Sequence, residues 1–184
     1  MVLTKTPICN FGEKPHSFEL KGVDNKFYKF ENLVGKNGIL IMFICNHCPY
    51  VKAVIKDIVK DSISLKKEGV TTIAIMSNDT ENYPDDSFEK MIEFAKKNSF
   101  NFPYLIDETQ EVAKKYGAVC TPDFFGYNNK LELQYRGRIR ELKDLKPVDT
   151  KESDLLSAMR TIIKTGKGPE SQIPSMGCNI KWIK

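Results

Sequence analysis

Gly38–Ile44 reads GILIMFI and runs directly into Cys45-Asn46-His47-Cys48-Pro49. An unbroken apolar run of this length is the pattern of a strand covered on both faces. Past the turn, Val51, Val54, Ile55 and Ile58 recur at helical spacing, so a helix with one buried face follows. Pro49 fits its first turn, where a missing N–H costs nothing, and Gly69 closes it. Cys45 and Cys48 thus stand at a strand-to-helix junction. A helix N-terminus carries unpaired N–H groups and the positive end of the macrodipole, and both favour a thiolate.

Outward from this junction the chain alternates strand and helix. Ser17–Leu20 and Lys26–Phe30 alternate apolar and polar, a pair of edge strands turning at Asp24-Asn25. Val70–Met76 (VTTIAIM) is a second buried strand. A helix starting near Pro84 carries Phe88, Met91, Ile92 and Ala95 on its buried stripe. A short strand at Pro103–Ile106 precedes a short helix at Thr109–Tyr116, ended by Gly117. Pro122–Tyr127 and Leu131–Tyr135 form a hairpin about Asn128-Asn129. A last helix, about Lys151–Lys164, buries Leu155, Met159, Ile162 and Ile163. Residues 166–184 show no periodicity and read as an irregular tail. The pattern predicts one α/β domain over residues 1–184, a mixed central sheet with helices on both faces.

Composition narrows the function. The 184 residues are 41% hydrophobic and 28% charged, as a globular core requires. The net charge of +4 is spread along the chain, with no basic or aromatic motif for nucleic acid. Met1–Asn10 lacks the apolar core of a secretory signal, and no run approaches the ~18 residues of a membrane span. A cytoplasmic protein without membrane or nucleic-acid partners is expected. Five cysteines stand at 9, 45, 48, 120 and 178, and only one pair is close in sequence. An odd number in a reducing compartment argues against a structural disulfide framework and for a working pair.

The C-x-x-C spacing lets one thiol attack a disulfide and the other resolve the mixed disulfide. Cys45, expected at the exposed end, would attack, and Cys48, further into the helix, would resolve. His47 as imidazolium would stabilise the thiolate, and Asn46 would tune the pair and contact substrate.

The segment Phe43-Ile44-Cys45-Asn46-His47-Cys48-Pro49-Tyr50-Val51-Lys52 resembles the active-site strand and helix of peroxiredoxin-like members of the alkyl hydroperoxide reductase/thiol-specific antioxidant family, within the thioredoxin superfamily. The resemblance runs from Lys14–Leu20 through Tyr135-Arg136-Gly137-Arg138 to Gly177-Cys178-Asn179-Ile180-Lys181-Trp182. It implies a thioredoxin-like fold. It also implies that Pro122, in Val119-Cys120-Thr121-Pro122, is the cis proline opposite the cysteines, with Thr121 offering its backbone to an extended disulfide substrate. True peroxiredoxins align their peroxidatic cysteine with Cys48 and carry a threonine three residues earlier and a proline seven earlier. Here Cys45 and Ile41 occupy those places. Disulfide exchange therefore ranks above peroxidase chemistry.

Cys120, two residues before Pro122, and Cys178, in the tail, are candidate accessory redox thiols; Cys178 would resolve a disulfide on Cys45 or cap the site. The expected activity is that of a thiol–disulfide oxidoreductase, an antioxidant redoxin with a thiol or disulfide substrate, a thiol electron donor and no bound cofactor or metal. The alternatives are a peroxiredoxin-type thiol peroxidase and a zinc or iron–sulfur module built from Cys45, Cys48, Cys120 and Cys178 with His47.

Overall fold

Successive residues of a strand point to opposite faces, and the central strand divides its side chains accordingly. Leu40, Met42 and Ile44 join one apolar cluster, while Ile39, Ile41 and Phe43 join another. The computed structural model describes residues 3–184, so Met1 and Val2 of the segment read for a leader lie outside the described residues. In chain order the elements are β1 (Leu3–Lys5), β2 (Glu19–Gly22), β3 (Phe27–Lys29), β4 (Gly38–Phe43), α1 (Pro49–Lys67), β5 (Val70–Met76), α2 (Phe88–Lys97) and β6 (Tyr104–Ile106). Then come α3 (Glu111–Tyr116), β7 (Cys120–Thr121), β8 (Asp123–Tyr127), β9 (Leu133–Tyr135), β10 (Leu142–Lys143), β11 (Lys146–Pro147), α4 (Asp154–Thr165) and β12 (Met176–Asn179).

Seven strands form the main sheet in the order β3-β2-β6-β5-β4-β8-β9. β4, β5 and β6 run parallel, and the outer strands are antiparallel. Helices α1, α2 and α4 bury Val54, Met91 and Met159 in the first cluster; α3 buries Val112, Ala113 and Tyr116 in the second. This is the expected mixed sheet with helices on both faces. No helix among the described residues is long and apolar enough to cross a membrane.

Several boundaries move for local reasons. α2 begins at Phe88 rather than near Pro84, because Pro84–Asp86 forms a 3-10 turn and the Ser87 hydroxyl accepts from the Lys90 N–H as the cap. α4 begins at Asp154 because Ser153 caps it in the same way. Ile92 does not face the core: it is 38% exposed, since the ten-residue helix turns only Met91 and Ala95 fully inward.

The largest correction concerns residues 166–184. Within that stretch β12 threads between β1 and β7 as the middle of a three-stranded sheet. Leu3 lies opposite Cys178 on one side and Thr121 opposite Cys178 on the other. The stretch was opaque in sequence because a four-residue strand, Met-Gly-Cys-Asn, is too short to show a period.

Candidate active site

β4 ends at Phe43, where its neighbours are Ile75 of β5 and Asp123 of β8. The ladder continues one step, with the Ile44 N–H donating to the Ile75 carbonyl at 3.0 Å. Cys45 then leaves the sheet, and the turn reaches Cys48, which is the N-cap of α1 with Pro49 in the first turn. The strand therefore fixes one sulfur and the helix terminus the other.

The Thr121–Pro122 peptide bond is cis. Thr121 reaches both thiols: its hydroxyl oxygen lies 3.3 Å from Cys45 Sγ, and its carbonyl oxygen 3.2 Å from Cys48 Sγ. Its backbone, expected to be open to a substrate, is instead paired with Cys178 of β12. That pairing brings Cys178 Sγ to 2.8 Å from Cys48 Sγ, about 0.8 Å beyond a covalent S–S bond. Three sulfurs thus converge behind Thr121. Cys120 does not join them; its thiol turns toward the Pro122 carbonyl at 3.7 Å, and burial pushes it up.

The expectation that Cys45 occupies an exposed end is not met. Cys45 is 1% exposed, Cys48 0% and Cys178, itself on β12, 1%. Their electrostatics differ strongly. The Cys45 thiol hydrogen-bonded to it holds Cys48 down, to about 5, against the opposing effect of burial; the Cys178 thiol and the Val51 N–H at the helix start add to this. Cys45 is pushed well up by that same hydrogen bond, then by burial and the Asp86 charge. Burial and the contact with Cys48 push Cys178 to about 12. One acidic sulfur is flanked by two thiols that keep their protons.

Asp86 is the residue that sequence reading missed. It is 0% exposed and accepts from the Asn46 N–H at 2.8 Å, from Asn78 Nδ2 at 2.8 Å and from His47 Nδ1 at 2.6 Å. This carboxylate holds the His47 imidazole above its ordinary range, opposed by burial. The His47 ring stacks on Tyr83 with a 9° interplanar angle. Asn46, expected to contact substrate, faces inward instead. Its amide nitrogen donates to the Asp85 carbonyl at 3.1 Å, and its amide oxygen accepts from the Tyr104 hydroxyl at 2.9 Å. It braces the turn.

The imagined four-cysteine metal set is not assembled. Among the described residues the grouping able to hold a cation is Cys45, His47 and Asp86, whose ligand atoms lie within 4.8 Å of one another.

The model of the AhpC/TSA family matches residues 11–142, which includes the sulfur-bearing turn and the cis proline. The chain belongs to the AhpC/TSA family. Among solved structures, an uncharacterized conserved protein from Geobacillus kaustophilus is 38% identical over 100% of this chain and 97% of that one, with a TM-score of 0.94. A hypothetical protein from Sinorhizobium meliloti 1021 is 32% identical over 98% of each chain, with a TM-score of 0.90. A secreted Mycobacterium tuberculosis disulfide oxidoreductase homologous to E. coli DsbE is 18% identical over 78% of this chain and 94% of that one, with a TM-score of 0.59. That last likeness is one of fold, and the fold is thioredoxin-like. None of the curated proteins matches the sequence. Membership in the AhpC/TSA family places the chain among thiol redox enzymes in general, oxidoreductase or peroxidase.

Proposed function

We propose that this chain is a thiol–disulfide oxidoreductase whose attacking group is the Cys48 thiolate. The observation that carries the reading is the convergence of Cys45 and Cys178 on Cys48 at the N-terminus of α1. The assignment reverses the order of attack read from the sequence, in which Cys45 came first.

The electron count closes within the site. Cys48 thiolate attacks a substrate disulfide, forming a mixed disulfide and releasing one substrate thiolate, which takes up a proton. Cys45 or Cys178 then loses its proton and attacks the Cys48 sulfur, releasing the second substrate thiol and leaving a protein disulfide. The substrate gains two electrons from the site, one proton from the resolving thiol and one from solvent, and a thiol donor returns the electrons. Asp86 lies on the Cys45 side of the turn, where its charge helps keep the proton on Cys45.

The deciding measurement is the reduction potential of the site, read by thiol trapping in redox buffers on the wild type and on Cys45→Ser, Cys48→Ser and Cys178→Ser. The expected result is a reversible two-electron couple between about −120 and −270 mV. Cys48→Ser should abolish exchange, whereas each of the other two leaves one resolving thiol. Exchange that survives Cys48→Ser and disappears in Cys45→Ser would restore the original order. Absence of any disulfide on Cys48 at every poise would remove the proposal.

A further inference from the structure

Cys48 has no exposed surface, so an outside disulfide reaches it only after a neighbour gives way. Besides Cys45, its sulfur touches the Thr121 carbonyl oxygen and Cys178 Sγ. Thr121 is joined through Pro122 to β8, which pairs with the central strand β4, so moving it disturbs the main sheet. β12 has no place in that sheet. It meets β7 through two residue pairs, Cys178 with Thr121 and Asn179 with Cys120, and the Ile180 N–H donates to the Val119 carbonyl at 3.2 Å. Ile173, Met176, Trp182 and Ile183, on and around it, are exposed. A short ladder flanked by exposed apolar side chains belongs to the part of a fold that opens first.

The pose of β12 also fits a substrate. It is an extended strand antiparallel to β7, with a cysteine opposite Thr121 whose sulfur lies 2.8 Å from Cys48 Sγ. Removing it leaves backbone groups of β7 without partners, which is costly away from water. Another extended polypeptide restores those bonds by strand addition, whereas a small disulfide has no backbone to offer. The residue before the cysteine is constrained as well. A Cβ on Gly177 would overlap the Thr121 carbonyl oxygen and touch the Pro122 ring.

Resting on the thiol-exchange reading above, we infer that β12 is a stand-in for the substrate, and that the substrate is a polypeptide disulfide whose reacting cysteine follows a glycine in an extended segment. That segment replaces β12 on β7 and presents its sulfur where Cys178 lies. Because β12 competes from the same chain, at an effective concentration on the order of millimolar, an incoming strand is selected by how well it matches β12.

The test uses a peptide copying residues 174–181, its cysteine carried as a mixed disulfide with nitrothiobenzoate. Cys48 thiolate attacks the cysteine sulfur. A Cys48–peptide disulfide forms, the old S–S bond breaks, and nitrothiobenzoate leaves with the electron pair as a coloured thiolate. The rate counted is the part that Cys48→Ser removes. Gly177→Ala in the peptide should slow the reaction about tenfold. The same change in the protein should instead speed the reaction of the unaltered peptide about tenfold, because it weakens the competitor. Cysteamine on the same leaving group, with no backbone to pair, should react more slowly than the unaltered peptide. Equal rates for the two peptides, or a cysteamine reagent as fast as the unaltered peptide, would overturn the inference. Should none of the three reagents react at Cys48, the exchange reading falls instead. Strand replacement is then judged alone, by adding the peptide with Cys178→Ser to the Gly177→Ala protein. Amide NMR shifts at Cys120 and Thr121 support it, and their absence ends it.

Discussion

A single carboxylate organises the polar side of the site. Asp86 holds the backbone of Asn46, the amide of Asn78 and the ring of His47 at once, and its burial leaves it no water to fall back on. Because the pair raises the His47 value above the ordinary 6.5, its contribution to stability is complete below that value and is lost as pH rises through the raised one. Asp86→Asn should therefore bring the His47 titration, followed by its ring-proton NMR signal, below that of the wild type. It should also cost about 1–3 kcal/mol at pH 6, with the difference shrinking in mildly alkaline buffer. An unmoved titration would show that Asp86 does not govern His47. The Cys45-Asn46-His47-Cys48 turn was legible because its meaning is local: a spacing, a strand before it and a helix after it. Asp86 was not, because Asp85-Asp86 after a proline looks like the usual acidic start of a helix. Its partnership with residues 40 positions away exists only in the fold.

Among the elements, β12 does most to change the site. Just past its end, Asn78 ties the chain to the polar side, accepting from the Lys181 N–H at 2.9 Å while donating to Asp86. Gln110 donates to the Lys181 carbonyl at 2.7 Å. The approach of β12 to β7 is so close that a Cβ on Gly177 would overlap the Thr121 carbonyl oxygen and touch the Pro122 ring. Gly177→Ala should push the strand outward at a cost of about 1–3 kcal/mol. Cys48 should then be alkylated by iodoacetamide about tenfold faster, with unchanged helix content by circular dichroism; an unchanged alkylation rate would mean that β12 does not shield the sulfur. Long periodic elements such as α1 and the β4–β5 pair could be read from sequence because packing repeats along them. β12 draws its partners from both β1 and β7, and nothing local records that.

At the scale of the whole molecule, the alternation of strands and helices fixed the fold class, since buried parallel strands need helices on their faces. Hidden from that reading were the buried charges joining distant segments, such as Asp123 with Arg136 at 2.9 Å. Asp61 illustrates their effect on stability. Burial raises it from 3.8 to about 6, although the Ser153 hydroxyl donates to it. A carboxyl raised by folding contributes its full stability below pH 3.8 and loses it as pH climbs to about 6. Asp61→Asn should accordingly raise Tm at pH 7 by roughly 5 °C and flatten the change in Tm between pH 4 and pH 7. Parallel thermal scans of both proteins at the two pH values test this, and an unaltered pH dependence would clear Asp61.

The meeting of Cys48 with Cys178 joins points 130 residues apart in the chain. A covalent bond there would remove about 5 kcal/mol of chain entropy from the unfolded ensemble, against about 2 kcal/mol for the short loop between Cys45 and Cys48. Which thiol completes the disulfide therefore decides how tightly oxidation is tethered to foldedness. Closing the short loop leaves the polymer almost as free to unravel as before, whereas closing the long one makes the oxidised molecule harder to unfold and, by the same thermodynamic cycle, makes folding itself a driving force for oxidation.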